Sequence, residues 1–428
     1  MTQILEQNSL YIGSDRLTWA DLCHRVATRV ARLAPGRMAS QNTSWDLSRS
    51  RLGFVVDTMA DALSYVAYGL SHDLDFAVVE RSRLSSSVID RFRDNGVTLI
   101  DGTTGHVMAP ASGSPEPGRV TVLTSGTTGL LKLIPHTAAT LNTFDRVQDL
   151  PENTWFLPYQ IGSYAWYQMV MLGLFQPKQT LIPGDFNNLI ASFEAALEQG
   201  ALTAVSSTPT FWRQALLSID PALLARAPLR SLSMGGEIVD QPILDRLAEL
   251  YPQAVIRHIY ASSEAGAAIV VSDGKAGFPA RLLERDIARI NLRVRDGRLF
   301  VRSPYANRDE AQSWVDTGDL VEQRGDRFYF LGRAGNTMIN VGGQKAFPPD
   351  IEAHLMTHPD VIWARVTARK APLMGALPVA SVVLARPIDF DAAEQMLTRH
   401  CEAGLADYAV PRLWDFPTDI PMRASLKS

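Results

Sequence analysis

Apolar residues recur at Leu22, Val26, Val30 and Leu33 within Thr18–Leu33, a spacing that lines one face of a helix, and Thr18 and Asp21 stand where a capping box would close its start. An amphipathic helix is predicted there. Onwards to about Leu250, short β-branched runs such as "FAVV" (76–79), "RVTVL" (119–123) and "LTAVSS" (202–207) alternate with helical patterns at Ile190–Glu198 and Ile243–Leu250. That alternation predicts an α/β fold, with parallel strands covered by helices.

Near residue 290 the texture changes. "INLRV" and "RLFVRS" flank Asp296-Gly297, a two-residue hairpin signal, and a further strand is predicted in "RFYFLGR" (327–333). After the Gly- and Asn-rich "AGNTMINVGG" comes a separate α+β pattern: a helix from about Pro349, strands near 361–369 and 379–385, and a helix over Phe390–Cys401. A boundary at 333–336 thus divides a large domain, 1–332, from a small one, 333–428. No internal repeat or low-complexity tract appears.

Trp155 to Pro177 carries no charged residue and no histidine, and would be long enough to cross a bilayer. Pro158, Gly162, Gly173, Gln160, Gln168 and Gln176 interrupt it, so the segment reads instead as a buried wall, expected to line a pocket.

Composition narrows the partners. At 428 residues, with 46% hydrophobic and 20% charged, the chain can bury a large core and is expected to be globular. The net charge of −4 comes from interspersed acids and bases, which argues against nucleic acid or an anionic membrane and for a small molecule. Cys23 and Cys401 form neither a disulfide framework nor a paired metal motif, so a reducing cytoplasm is expected; the first residues show no secretory signal.

The stretch "VTVLTSGTTGLLKLIPHT" (120–137) concentrates candidate chemistry. Six Ser, Thr and Gly residues, Thr124 to Gly129, follow a predicted strand and precede Lys132. Glycines let backbone N–H groups approach an anion, hydroxyls add donors, and the lysine adds charge, a combination suited to polyphosphate. It is not the phosphate-binding P-loop, because Gly129 is followed by Leu130, Leu131 and Lys132 rather than Lys-Ser/Thr. By composition alone a mobile turn fits equally well.

The order of residues does more: Thr124-Ser125-Gly126-Thr127-Thr128-Gly129 with Lys132 resembles the signature loop of the adenylate-forming superfamily, which includes acyl- and aryl-CoA synthetases, luciferase and the adenylation domains of peptide synthetases. Its companions follow in sequence. "SMGGEIVD" (233–240) resembles the adenine-side loop, "HIYASSEAG" (258–266) the Tyr-Gly-x-Thr-Glu segment, and "DTGDL" (316–320) the ribose-binding motif. "LGRAGNTMINVGGQKAFPPDIE" (331–352) resembles the hinge, and "DIPMRASLKS" (419–428) the ending that carries the catalytic lysine.

The resemblance implies a role for each position. Thr124 to Gly129 and Lys132 would hold phosphates, with Gly235, Gly236, Glu237, Tyr260 and Ser263 on the adenine side. Glu264 would hold Mg²⁺, a hard cation that prefers oxygen ligands; Asp319 and Arg333 would hold the ribose. Tyr159, Gly162, Tyr164 and Trp166 would line the acid site, Gly342 and Gly343 would flank the entering thiol, and Lys427 would act catalytically from a mobile lid. Taken singly, each has a plainer reading, from a core tyrosine to a solvated glutamate. Departures occur at Ala261 (usually Gly), Leu131 (usually Pro), Gly335 (commonly charged) and Leu426 (usually Gly). Tyr159-Gln160-Ile161 stands where a histidine is common, and the part preceding the loop is short.

The activity implied is attack of a carboxylate on ATP to give an acyl-adenylate, then transfer to the thiol of CoA or of a carrier protein's phosphopantetheine. Transfer to an amine, or nucleotide binding without catalysis, stays open. Nine of the 35 aromatic residues lie in 155–177 and 206–216. Such rings are often core, but a wall of them would favour an aryl monocarboxylic acid over a medium-chain fatty acid.

Overall fold

Runs of Val, Leu and Phe flanked by helical segments become parallel strands buried on both faces. The computed structural model describes residues 8–13, 15–33, 49–125, 131–144, 150–283, 290–307, 313–334, 338–371 and 375–421. Residue contacts divide the chain into two units. The first holds Met1–Val205, Ser262–Ala267 and Ser303–Ser313; the second holds Ser206–Ala261, Ala268–Arg302 and Trp314–Ser428.

In the first unit, six strands run in the order Val107–Ala109, Val97–Asp101, Arg51–Val56, Phe76–Glu80, Arg119–Ser125 and Leu131–Thr137. The central pairings are parallel, with Phe54 beside both Val78 and Ile100. The outer two are antiparallel. Elsewhere in this unit Asn153–Leu157, Gln179–Pro183 and Ser9–Ile12 pair in parallel. The expected amphipathic helix is Trp19–Leu33, and the capping box at its start forms, with the backbone N–H and hydroxyl of Thr18 donating to Asp21.

The uncharged segment 155–177 becomes the end of a strand and the twelve-residue helix Tyr164–Phe175, buried nearly all round. No helix among the described residues is long and apolar enough to cross a membrane.

In the second unit, Ser231–Gly235 pairs in parallel with Val255–Ser262. Five strands then form an antiparallel sheet: Phe278–Pro279, Arg327–Arg333, Val315–Arg324, Arg298–Arg302 and Asn291–Arg295. Its predicted hairpin turns at Asp296 and Gly297, with φ of 51° and 71°. The α+β pattern near the C-terminus is realised by the hairpin Val361–Ala371 with Gly375–Leu384, by Leu413–Asp415 alongside it, and by helices Pro348–Leu355 and Phe390–Gly404. Ile351, Leu355, Val366, Val382, Leu397 and Cys401 form its core. Gly335 and Asn336, in the expected boundary, lie outside the described residues.

Candidate active site

The strand Arg119–Ser125 and the returning strand Leu131–Thr137 set Thr124 directly opposite Lys132. Opposed residues share one face of a sheet. Thr124 and the exposed Lys132 therefore project from the same face near the end of this hairpin. Ser125 is the last residue of its strand; Gly126, Thr127, Thr128 and Gly129 lie outside the described residues.

Further along the return strand, His136 is fully buried. Its Nε2 donates to the Ser263 carbonyl at 2.8 Å, and Nδ1 meets the Thr140 hydroxyl at 3.0 Å. Burial lowers the imidazole pKa from 6.5 to about 4, with the Ser263 carbonyl opposing. The ring is neutral at neutral pH. His136 was not a sequence candidate, because one histidine in an apolar run reads as core.

Ser263 and Glu264 sit on a turn whose main chain is well engaged. Asn307 donates its backbone N–H and Nδ2 to the Glu264 carbonyl, at 2.9 and 3.3 Å, and Ala267 N–H donates to Tyr164 Oη at 3.1 Å. The Glu264 carboxylate takes no hydrogen bond or ion pair from any described residue. That fits a ligand for Mg²⁺, which uses one or two carboxylates plus phosphate and water rather than a protein cage. Among the described residues no cluster of three or more His, Cys, Asp or Glu could hold a metal by itself.

The acid-site candidates divide. Tyr159 and Tyr164 keep 8% and 6% exposure, whereas Trp166 has none and directs its indole N–H at the Met59 sulfur, 3.2 Å away. Tyr167, Phe211 and Trp212 are also fully enclosed. These four rings pack in the protein interior, and of them only Trp166 is a sequence candidate for the acid site. Gly162 has φ of 81°; a Cβ there would lie 2.6 Å from the Val78 carbonyl oxygen, and its own carbonyl accepts from Leu123 N–H at 2.9 Å. It lets this segment press against the signature strand.

In the second unit, Gly235 ends its strand opposite Ile259, and Gly236 follows. The Glu237 carboxylate accepts from the backbone N–H and the hydroxyl of Thr210, both at 3.0 Å. It thereby caps the helix Pro209–Ser218.

Three other candidates do come together. Tyr260 Oη donates to Asp319 Oδ2 at 2.5 Å, and Arg333 Nε donates to Asp319 Oδ1 at 3.2 Å, the last two residues being cross-strand partners. Burial, reinforced by the Asp319 charge, pushes the Tyr260 phenol well above its ordinary pKa, so it stays a donor. One face of the Tyr260 ring stacks on Phe330, with centroids 4.7 Å apart. Gly342 and Gly343, with φ of 58° and 90°, form the two-residue turn between Ile339–Val341 and Gln344–Ala346. Lys427 lies outside the described residues.

The family model for the AMP-binding enzyme matches residues 56–305, and that for the AMP-binding enzyme C-terminal domain matches 350–427. The chain belongs to the AMP-binding enzyme family. This is the adenylate-forming superfamily that the ordered motifs resemble. Relatives of the chain include the 2-succinylbenzoate–CoA ligase of Bacillus mycoides, 30% identical over 223 residues, which are 46% of this chain and 45% of that protein. The ligase of the same name from Geobacillus kaustophilus is 30% identical over 228 residues, 47% of this chain and 46% of the relative. The match spans about half the length of these curated relatives.

Solved structures extend the likeness of fold across the chain. The o-succinylbenzoate CoA synthetase MenE from Bacillus subtilis, in complex with its acyl-adenylate, has a TM-score of 0.69 at 18% identity, covering 99% of this chain and 94% of that one. An anthranilate CoA ligase, AuaEII, with anthranoyl-AMP gives 0.73 at 17%, covering 99% and 93%. The amide bond synthetase McbA from Marinactinospora thermotolerans gives 0.68 at 18%, covering 98% and 94%.

Proposed function

We propose that the protein activates a carboxylic acid with ATP, forming an acyl-adenylate as pyrophosphate leaves the α-phosphorus, and passes the acyl group to a thiol of CoA or of a carrier protein's phosphopantetheine with release of AMP. The observation that carries this reading is the ordered motif set within the two family matches, with Tyr260, Asp319 and Arg333 hydrogen-bonded together. Asp319 would accept the ribose hydroxyls, the phenol and guanidinium holding its carboxylate in place. The face of the Tyr260 ring turned away from Phe330 would lie against adenine.

Charge neutralisation and positioning carry most transfers at phosphorus. Thr124 and Lys132, fixed opposite each other, would hold the phosphates. Glu264 would supply a carboxylate to Mg²⁺, which when bound offsets phosphate charge. Lys427, brought in by the small domain 333–428, would meet the developing charge in the adenylation step. The turn at Gly342 and Gly343 would flank the thiol in the second step.

For the acid, two ligases of similar sequence or fold are named for ring-bearing carboxylates, 2-succinylbenzoate and anthranilate. An aryl acid bordered by Tyr159 is therefore favoured. An ATP–pyrophosphate exchange screen over a panel of aryl and fatty acids tests the reading, followed by AMP release with CoA, with a phosphopantetheinylated carrier protein and with amines. Exchange with no acid, while ATP binds, would leave a nucleotide-binding homologue. Thiol-independent release with an amine would identify an amide-forming ligase.

A further inference from the structure

The turn that carries Glu264 is held from three places far apart in sequence. His136 Nε2 grips the Ser263 carbonyl at 2.8 Å, across 127 residues. Tyr164 Oη accepts from Ala267 N–H at 3.1 Å, across 103 residues. Asn307 reaches the Glu264 carbonyl with two donors, across 43 residues. The His136 and Tyr164 rings also lean on each other, with centroids 5.5 Å apart. Both side chains are buried, so water does not compete for these bonds.

All three anchors take main-chain groups of 263–267, and none takes the Glu264 carboxylate. A frame that fixes the backbone and leaves one carboxylate uncommitted is what a cation ligand needs, because the ordering cost is then met on folding rather than at each binding event.

We propose that His136, Tyr164 and Asn307 are positioning residues which hold this turn so that Glu264 is presented to the divalent cation accompanying ATP. The inference rests on the reading of Glu264 given above. It also moves Tyr164 from the acid-site wall to the cation side.

Mn²⁺ titrated into the full-length protein with α,β-methylene-ATP, followed by the electron paramagnetic resonance signal of free Mn²⁺, tests it without turnover. Tyr164→Phe, which deletes only the hydroxyl, and Asn307→Ala should each weaken Mn²⁺ binding by about tenfold, the low end for groups that orient a metal ligand. Binding of the analogue without a cation should stay unchanged. Glu264→Gln, which leaves the nucleotide phosphates as ligands but removes the carboxylate, should weaken Mn²⁺ binding more than either positioning variant. If Glu264→Gln binds Mn²⁺ like the wild type, the cation reading of Glu264 falls and this inference with it. If that variant weakens Mn²⁺ binding while both positioning variants keep wild-type affinity, only the inference is overturned. Equal weakening of the analogue alone and of Mn²⁺ would mark a purely structural role and overturn it as well.

Discussion

Replacing His136 by Gln should make the protein less sensitive to mild acid. The imidazole is fully buried and its pKa lies near 4 rather than 6.5. Above pH 6.5 both folded and unfolded chains hold it neutral, and stability is full. As pH falls from 6.5 towards 4, the unfolded chain takes up a proton that the folded one refuses, so stability drops. Below about 4 both are protonated and the loss stops growing. At about 1.4 kcal/mol per pH unit, the gap from 6.5 to about 4 corresponds to about 3 kcal/mol, of which about 2 is spent by pH 5. A domain held by 5–15 kcal/mol feels that strongly. Glutamine can still donate to the Ser263 carbonyl but cannot take the proton. Urea melts of both proteins at pH 7.5 and 5.0 measure the difference: the wild type should lose about 2 kcal/mol more than His136→Gln between the two. Equal losses, or an imidazole resonance titrating near 6.5 in the folded protein, would refute the reasoning.

Asp319→Ala should weaken ATP binding by about 1.5–3 kcal/mol, the value of charged hydrogen bonds, and calorimetry showing unchanged ATP affinity would count against a ribose role. Lys427→Ala should slow adenylation by orders of magnitude while sparing thioester formation from supplied acyl-adenylate; equal loss in both half-reactions would remove the two-orientation assignment. Gly162→Ala should lower stability by about 1–3 kcal/mol, since the new methyl needs a left-handed backbone and meets the Val78 carbonyl; an unchanged melting temperature would contradict that contact. An aryl acid should give a higher kcat/KM in pyrophosphate exchange than any saturated fatty acid, and the reverse order would overturn the aryl preference alone.

Local signals were legible where local physics decides. Asp296-Gly297 specifies its hairpin because both residues accept positive φ. The alternating β-branched runs specify parallel strands because burial on both faces demands them. The helix Met59–Ser71 left no such trace: Ala62 to Gly69 are all buried, and a helix enclosed all round loses its amphipathic period. In 155–177 the burial was legible from the lack of charge, whereas composition counts the rings but cannot say that Trp166 points at Met59. Glu237 capping a helix that starts 28 residues earlier, and His136 gripping Ser263, are tertiary contacts that only the fold discloses.

The antiparallel pairing of Thr124 with Lys132 also acts as a ruler. Side chains in a strand alternate between faces, so inserting or deleting one residue among the five that join Ser125 to Leu131 would slip the return strand by one position and turn the lysine through the sheet. Leu131, beside them, stands where proline is usual in the resembled family and still pairs with Ser125. For anyone grafting or recombining this loop, its length is the quantity to keep, and a one-residue error should weaken the phosphate contact proposed for Lys132 even when every loop side chain is kept.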